Sequence, residues 1–397
     1  MSCNLERNCP ICSQYDNEIL FKQEFADIKG VTFLKKYEVV KCNNCGFIYA
    51  DNIPPQEEFD SYYKNFSKYE FKVHELTPDE IERFEYSLEF INECLKQNNT
   101  EIKELNMVDV GCATGDFLRF LKQKGYDKIN AIDPSSLCVG FLNSIDITSE
   151  QATINELNID KKYEFIRLNA VLEHIVDLNN SIEQLKRILK ERGYLYLSMP
   201  NIEGFKELEN CPFQEFSVEH INYFSRLSLS NLMKKHGFSL VDYRSNSNKL
   251  YSEMEAVFIY DQEDIKDYQY KVEEQYENIR SVNEYIELNY KLENEVNKRI
   301  KNLNRNGDPI IVWGVGTHTL RQLAKGELGR CNIKLFVDSN IHYQGSKYND
   351  IDVISPKEIY KYDYKILISS YYGQESINSY IKNVLKLNND VIRLYDF

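Results

Sequence analysis

The chain has 397 residues, 42% of them hydrophobic and 13% aromatic, which is more than one core organises and predicts two to four domains without large-scale disorder. Lys+Arg 48 against Asp+Glu 62 gives a net charge of −14, and no basic stretch could track a phosphate backbone, which argues against a nucleic-acid partner. No apolar run approaches the roughly 18 to 20 residues of a spanning helix, and MSCNLERNCPIC has neither the core nor the cleavage pattern of a signal peptide, so a cytoplasmic protein with no membrane partner is expected.

Ten cysteines in such a chain argue for metal or free thiols before disulfides. Cys9-Pro-Ile-Cys12 and Cys42-Asn-Asn-Cys45 are two CxxC pairs, the second between β-rich runs with Gly46 in the turn. That is the hairpin on which a zinc ribbon presents thiolates, so Cys9, Cys12, Cys42 and Cys45 are candidate ligands of a structural Zn²⁺ fastening residues 1–55. Unliganded buried thiols are the alternative; a redox pair would need a thioredoxin-like context that is absent. A closed site of this kind folds its segment and shapes a neighbouring pocket, and Cys3 is unassigned.

Residues 56–105 read as a helical, aromatic connector. Tyr62, Tyr63, Phe66 and Tyr69 fall at helical spacing, so core packing is the first reading and ligand contact the second; on the second, Tyr62, Tyr63 and Tyr69 are candidate substrate residues. DEIERFEYSLEFINECLKQ predicts an amphipathic helix starting after Thr77 or Pro78.

Residues 106–245 open with ELNMVDVGCATGDFLRFL: a strand ending at Asp109-Val110, a turn Gly111-Cys112-Ala113-Thr114-Gly115, and a helix from about Asp116. This predicts the first βα unit of a doubly wound sheet, with glycines that let backbone approach a ligand. INAID then ends a second strand in Asp133, an acid placed to accept ribose hydroxyls. The leading Asp109 would repel the pyrophosphate of a dinucleotide and suits a cofactor with a cationic amino-acid end.

VDVGCATG resembles the first motif of class I S-adenosylmethionine methyltransferases. KYEFIRLNAVLEHIVDLNNSIEQLKRILKERGYLYLSMPN resembles the fourth strand, helix and fifth strand of that fold. The resemblance implies S-adenosylmethionine as cofactor, bound by Asp109, Gly111, Cys112, Ala113, Gly115 and Asp133. LNAVLEH matches a family segment near the methyl donor, which adds Leu172. His174 is open between a cofactor contact, a base and a structural helix-start residue; Glu173 is expected at the helix N-terminus.

LSLSNLMKKHGFSLVDY predicts a closing helix and strand. An acidic stretch from Asp261 to about Asn306 has apolar residues at helical spacing, so residues 246–305 read as a closing strand and a long helix with a charged, solvated face. In 306–397, PIIVWGVGTHTLRQLAKGEL and IKLFVDSN form a second strand, glycine turn and helix, ending in Asp338; a lone G-x-G there is weak evidence for a nucleotide. His318 beside that turn is either a nucleotide contact or an exposed loop histidine.

Together these features resemble the sugar C-methyltransferase family, which acts on nucleotide-linked 4-keto deoxysugars in bacterial glycan and antibiotic pathways. The implied fold is α/β: a class I methyltransferase Rossmann-like sheet between a zinc-ribbon-like domain and a C-terminal Rossmann-like domain that helps form the substrate cleft. The implied partner is a nucleotide-linked sugar, and the oligomeric state is open. The family segment Tyr-His-Glu-His reads Ser217-Val218-Glu219-His220 here, so Glu219 and His220 carry over as a catalytic pair, with His174 a third candidate and Asn222 a substrate contact in the same loop. Three readings follow: C-methylation of a keto sugar, O- or N-methylation on the same scaffold, and a non-catalytic glycan-pathway scaffold.

Overall fold

The computed structural model describes residues 6–28, 32–65, 74–97, 99–157, 160–262 and 276–395. Strands β1 (Asn17–Glu24), β2 (Lys36–Cys42) and β3 (Ile48–Asp51) pair antiparallel. The β2–β3 turn carries Cys42 and Cys45 and uses Gly46 at φ 75°, as the hairpin expectation requires. Helices α1 (Gln56–Asn65) and α2 (Pro78–Lys96) follow. Thr77 caps α2: its hydroxyl accepts from the Glu80 N–H at 3.3 Å while the Glu80 carboxylate accepts from the Thr77 N–H at 2.8 Å. Phe66 and Tyr69 lie outside the described residues.

The central sheet is built from β4 (Met107–Val110), α3 (Asp116–Gln123), β5 (Ile129–Asp133), α4 (Ser136–Ser144), β6 (Thr148–Gln151), β7 (Tyr163–Asn169), α5 (Leu178–Ile188) and β8 (Leu189–Pro200). A short β9 (Asn222–Tyr223) leaves this sheet and pairs with β3. Helix α6 (Arg226–Lys235) and the hairpin β10 (Phe238–Ser247)–β11 (Ser252–Tyr260) complete it. The order is β10-β11-β8-β7-β4-β5-β6, with β11 antiparallel to both neighbours and β4 to β8 parallel. Strand order reverses at β4, which pairs with β5 on one side and β7 on the other. Ligands of open α/β sheets bind at the carboxyl ends of strands at such a switch point.

Helix α7 (Tyr276–Leu303) is the described part of the predicted acidic helix. Its charges are not all solvated, because Glu293 pairs with buried Arg321 at 2.7 Å. Helix α8 (Thr317–Lys325), to which Arg321 belongs, follows β12 (Ile310–Trp313) in a third sheet. That sheet continues through β13 (Ile333–Val337), β14 (Lys347–Tyr348), β15 (Ile351–Ile354), β16 (Lys365–Ile368), α9 (Gln374–Ser379) and β17 (Val391–Arg393), in the order β14-β15-β13-β12-β16-β17. One apolar cluster runs from Phe21 and Val39 of the first sheet through Phe213 and Phe216 to Val282 of α7 and Phe336 of the third sheet. The FQEFSVEH segment is thus a buried seam between lobes, which is why it is so aromatic.

Candidate functional site

The glycine turn after β4 needs its glycines. Gly111 and Gly115 have φ 74° and 67°, and a Cβ on them would stand 2.7 Å from Val171 and 2.5 Å from Leu142. Asp133 ends β5 and braces the turn, accepting from the Ala113 N–H at 2.7 Å and the Ser135 N–H at 2.9 Å. A carboxylate offers about four acceptor positions, so this bracing is compatible with ribose hydroxyls. A cavity opens over the turn, walled by Gly111, Ala113 and Asp133 on one side, Val171 and His174 on another, and Asp60 and Tyr63 of α1 as a cover.

Four residues expected at the cofactor stand off this wall; Gly115, the N-cap of α3, is one of them. Val108 and Val110 face one core, so strand alternation turns Asp109 to the opposite side. There its carboxylate pairs with Arg167 at 2.7 Å, and Arg167 lies 4.2 Å over the Phe117 ring; burial raises the Asp109 pKa and Arg167 opposes that. Cys112 packs its thiol against the α2–α3 core, and burial raises its pKa. Leu172 is buried and offers its carbonyl to the Asn222 amide at 2.8 Å. The acid that sequence reasoning missed is Asp60, half-buried on the wall, its pKa raised by burial. Its spacing of three from Tyr63 was the available signal, since i and i+3 share a helix face.

Ser217, where the resembled family has tyrosine, holds a turn: its hydroxyl accepts from the N–H groups of Glu219 and His220 at 3.2 and 3.0 Å. The same turn is anchored by the Tyr37 hydroxyl, which donates to the Ser217 carbonyl at 2.8 Å. Glu219 is 4% exposed, and its carboxylate accepts from the Tyr62 hydroxyl at 3.1 Å. The Glu219 carbonyl lies 3.0 Å from Nδ1 of His174. A carbonyl only accepts, so Nδ1 carries the proton and the neutral ring has its lone pair on Nε2. The His174 ring is 5.0 Å from that of His220 and 5.7 Å from that of Tyr63.

Glu173 departs from expectation. The N-cap of α5 is Asp177, which accepts from the Asn180 N–H at 3.0 Å. Glu173 instead turns inward at 1% exposure, neither carboxylate oxygen has a hydrogen-bond partner among the described residues, and desolvation raises its pKa to about 8.

A second cavity of about 370 Å³ separates this loop from the third sheet, with Gln214, Val218 and Glu219 on one wall and Gly314 to His318, Asp338 and Tyr371 on the other. Asp338 braces its glycine turn as Asp133 does, accepting from the N–H groups of Val315 and Asn340 at 2.8 Å each. His318 is not an exposed loop residue: it sits in the first turn of α8 at 3% exposure, with Nδ1 against the Tyr395 hydroxyl, and burial lowers its pKa to about 3. Asn222 reaches neither cavity. Its amide donates to the carbonyls of Leu172 and Ile175 at 2.8 and 2.7 Å, and its oxygen accepts from Arg7 at 2.9 Å, so its polar atoms are consumed in a clamp. Tyr69 lies outside the described residues.

Arg7 carries that clamp into the cysteine cluster two residues away. Its guanidinium also donates to the carbonyls of Ile175 at 3.2 Å, Val176 at 2.6 Å and Ile221 at 3.2 Å, on both sides of the His174–His220 pair. Cys9 and Cys45 stand 3.5 Å apart, as do Cys12 and Cys42, and all four sulfurs lie within 4.8 Å of one another. Zn–S bonds of about 2.3 Å in a tetrahedron set sulfurs about 3.8 Å apart, so these residues fit the ion.

Residues 80–243 match a family described as a methyltransferase domain, and residues 306–392 match one described as C2185-like, N-terminal. Similar curated proteins include the ubiquinone biosynthesis O-methyltransferase of Rickettsia prowazekii, 31% identical over 120 residues that make up 29% of this chain and 47% of that one. Another is the tRNA U34 carboxymethyltransferase of Nautilia profundicola, 25% identical over 207 residues, 50% of this chain and 66% of that one. The chain spans about half the length of the first of these relatives. Among solved structures, magnesium protoporphyrin IX methyltransferase from Synechocystis with bound SAH is 14% identical, covering 52% of this chain and 99% of that one at a TM-score of 0.38. The sheet order, the glycine turn and the family match define a class I S-adenosylmethionine-dependent methyltransferase domain. Beside it stand the cysteine-bearing sheet and the C-terminal sheet, parallel except for β14.

Proposed function

We propose that the protein transfers the methyl group of S-adenosylmethionine to a nucleotide-linked sugar, at the carbon beside the ketone of a 4-keto deoxysugar, with Glu219 and His220 as the base pair. The observation that carries this reading is the contact of 3.0 Å between His174, on the wall of the first cavity, and Glu219, on the wall of the second. A methyl donor in one cavity and an acceptor in the other would meet at that junction.

Methyl transfer from a sulfonium is an in-line displacement with the donor already activated, so the protein has to align the acceptor and make it nucleophilic. The base pair would take the proton from the carbon beside the ketone and hold the resulting enolate in line with the methyl group that bound S-adenosylmethionine would supply, with S-adenosylhomocysteine as the leaving group. Tyr62 supports this by holding the Glu219 carboxylate at 3.1 Å. The N-terminus of α8 beside the Gly314–Gly316 turn suits the anionic end of a nucleotide. Deuterium placed at C3 of a keto-sugar substrate is expected to wash out into solvent; methylation with that deuterium retained overturns C-methylation.

Retention would favour a second reading, O- or N-methylation on the same scaffold. Two observations support it: Ser217 supplies no phenol to an enolate, and relatives of the methyltransferase segment include O-methyltransferases. A hydroxyl or amine acceptor needs the base alone.

We also assign a structural Zn²⁺ to Cys9, Cys12, Cys42 and Cys45. With four thiolates it would have no open position, so its work is to hold β2, β3 and Arg7 in place. Metal analysis should find one zinc per chain, and its absence removes the assignment. The keto-sugar reading makes this a bacterial, cytoplasmic enzyme of glycan biosynthesis.

A further inference from the structure

We propose that Glu173, His174 and His220 form a binding site for a divalent first-row transition cation at the junction of the two cavities, separate from the cysteine cluster. The proposal rests on the reading of this junction as the reacting centre.

The first observation is geometric. One ligand atom from each of the three residues lies within 4.8 Å of the other two, and Oε1 of Glu173 is 3.9 Å from Nε2 of His174. Three donors each about 2.1 Å from one ion stand about 3.6 Å apart, so a set within 4.8 Å closes when each atom moves inward by about 0.7 Å. The second observation is independent. Glu173 is 1% exposed, and among the described residues both its carboxylate oxygens lack a hydrogen-bond partner. A buried carboxyl without a partner is held as the neutral acid, and a cation reaching it would displace that proton; His174 and His220 each offer a ligand atom within 4.8 Å.

The tautomer of His174 is set for the same purpose. Its Nδ1–H donates to the Glu219 carbonyl at 3.0 Å, which leaves Nε2 as the acceptor nitrogen, 3.9 Å from Oε1 of Glu173. A backbone carbonyl orienting one ring nitrogen while the other binds an ion is the usual outer shell of a metal-bound histidine. Two imidazoles and one carboxylate suit zinc, manganese, cobalt or ferrous iron better than calcium or magnesium. Three protein ligands leave coordination positions open, and the junction lies where an acceptor oxygen would arrive. A cation there would polarise that oxygen and stabilise its developing negative charge, in place of the phenol that Ser217 does not offer. With the cation bound, the proposed pair would divide its work: His220 would hold the ion and Glu219 would accept the acceptor's proton.

The test is titration of zinc-replete full-length protein with Mn²⁺, read by electron paramagnetic resonance. Wild type should bind one Mn²⁺ per chain, and Glu173→Gln and His174→Gln should each weaken binding at least about 10-fold with zinc content unchanged. Gln is an uncharged isostere of the neutral acid, so Glu173→Gln should fold and melt no lower than wild type. Wild type that binds none of Mn²⁺, Co²⁺, Fe²⁺ or additional Zn²⁺ up to millimolar concentration overturns the site, as does binding undiminished in Glu173→Gln. Turnover by protein shown to lack this cation would leave the methyltransferase reading standing and sink the site alone. A bound cation with no methyl transfer would do the reverse.

Discussion

The hydroxyl of Tyr62 donates to Oε1 of Glu219 at 3.1 Å, across 157 positions of sequence. The phenol comes from α1, the cover of the cofactor cavity, and the carboxylate from the wall of the second cavity. On the proposed reading Tyr62 thereby orients one member of the base pair. Tyr62→Phe should lower kcat about 10-fold, the scale of one positioned group in acid–base catalysis, with the calorimetric affinity for S-adenosylmethionine unchanged because Tyr63, not Tyr62, lines that cavity. Unchanged kcat would reduce the bond to packing.

On the same reading Arg7 is a positioning residue, holding the backbone on either side of that centre. Burial lowers its pKa to about 10, which leaves it charged at neutral pH. Lysine keeps the charge but loses the planar fork that reaches Ile175, Val176, Ile221 and Asn222 together. Arg7→Lys should cost on the order of 2 to 4 kcal/mol in urea unfolding, from several unmet acceptors, and should lower kcat with zinc content intact. A variant with wild-type kcat would detach the cysteine-bearing sheet from catalysis.

Much of the fold is legible in sequence because its signals are local. A glycine turn announces backbone with φ above zero, as at Gly111 and Gly115, and Thr77-Pro78 with Glu80 marks a helix start by side-chain chemistry alone. The order of strand, turn, helix and acid brought Gly111, Ala113, Asp133 and His174 to one cavity. Less legible was which way a side chain points once strands pair. Asp109 lies one residue from the wall residue Val110, yet strand alternation gives it to Arg167. Asn222 and His318 look like exposed polar loop residues until β9 pairs with β3 and Tyr395 covers α8. Glu173 could not be read at all, because its isolation is a property of three elements meeting.

Glu215 gives the fold a pH dependence. Desolvation raises its carboxyl pKa to about 7, opposed by the Asn210 amide, which donates at 3.1 Å, and reinforced by the charge of Glu253. The folded-state pKa lies above the ordinary value of 4.5, so the folded state binds this proton more tightly than the unfolded state. The stability it contributes is full below about pH 4.5 and is lost as pH rises through about 7. Thermal melting followed from pH 5 to pH 8 should show a decline that Glu215→Gln flattens; parallel curves for the two proteins would contradict the assignment.

The most direct measurement is single-turnover transfer of labelled methyl from S-adenosylmethionine to a nucleotide-linked 4-keto sugar, with wild type and His220→Ala side by side and cofactor affinity measured on both. His220 lies beside His174 at 5.0 Å between ring centroids and is absent from the cofactor wall. The variant should therefore bind S-adenosylmethionine as wild type does and lose transfer by about 10²- to 10⁴-fold. Transfer at near the wild-type rate would contradict a reacting centre at Glu219 and His220.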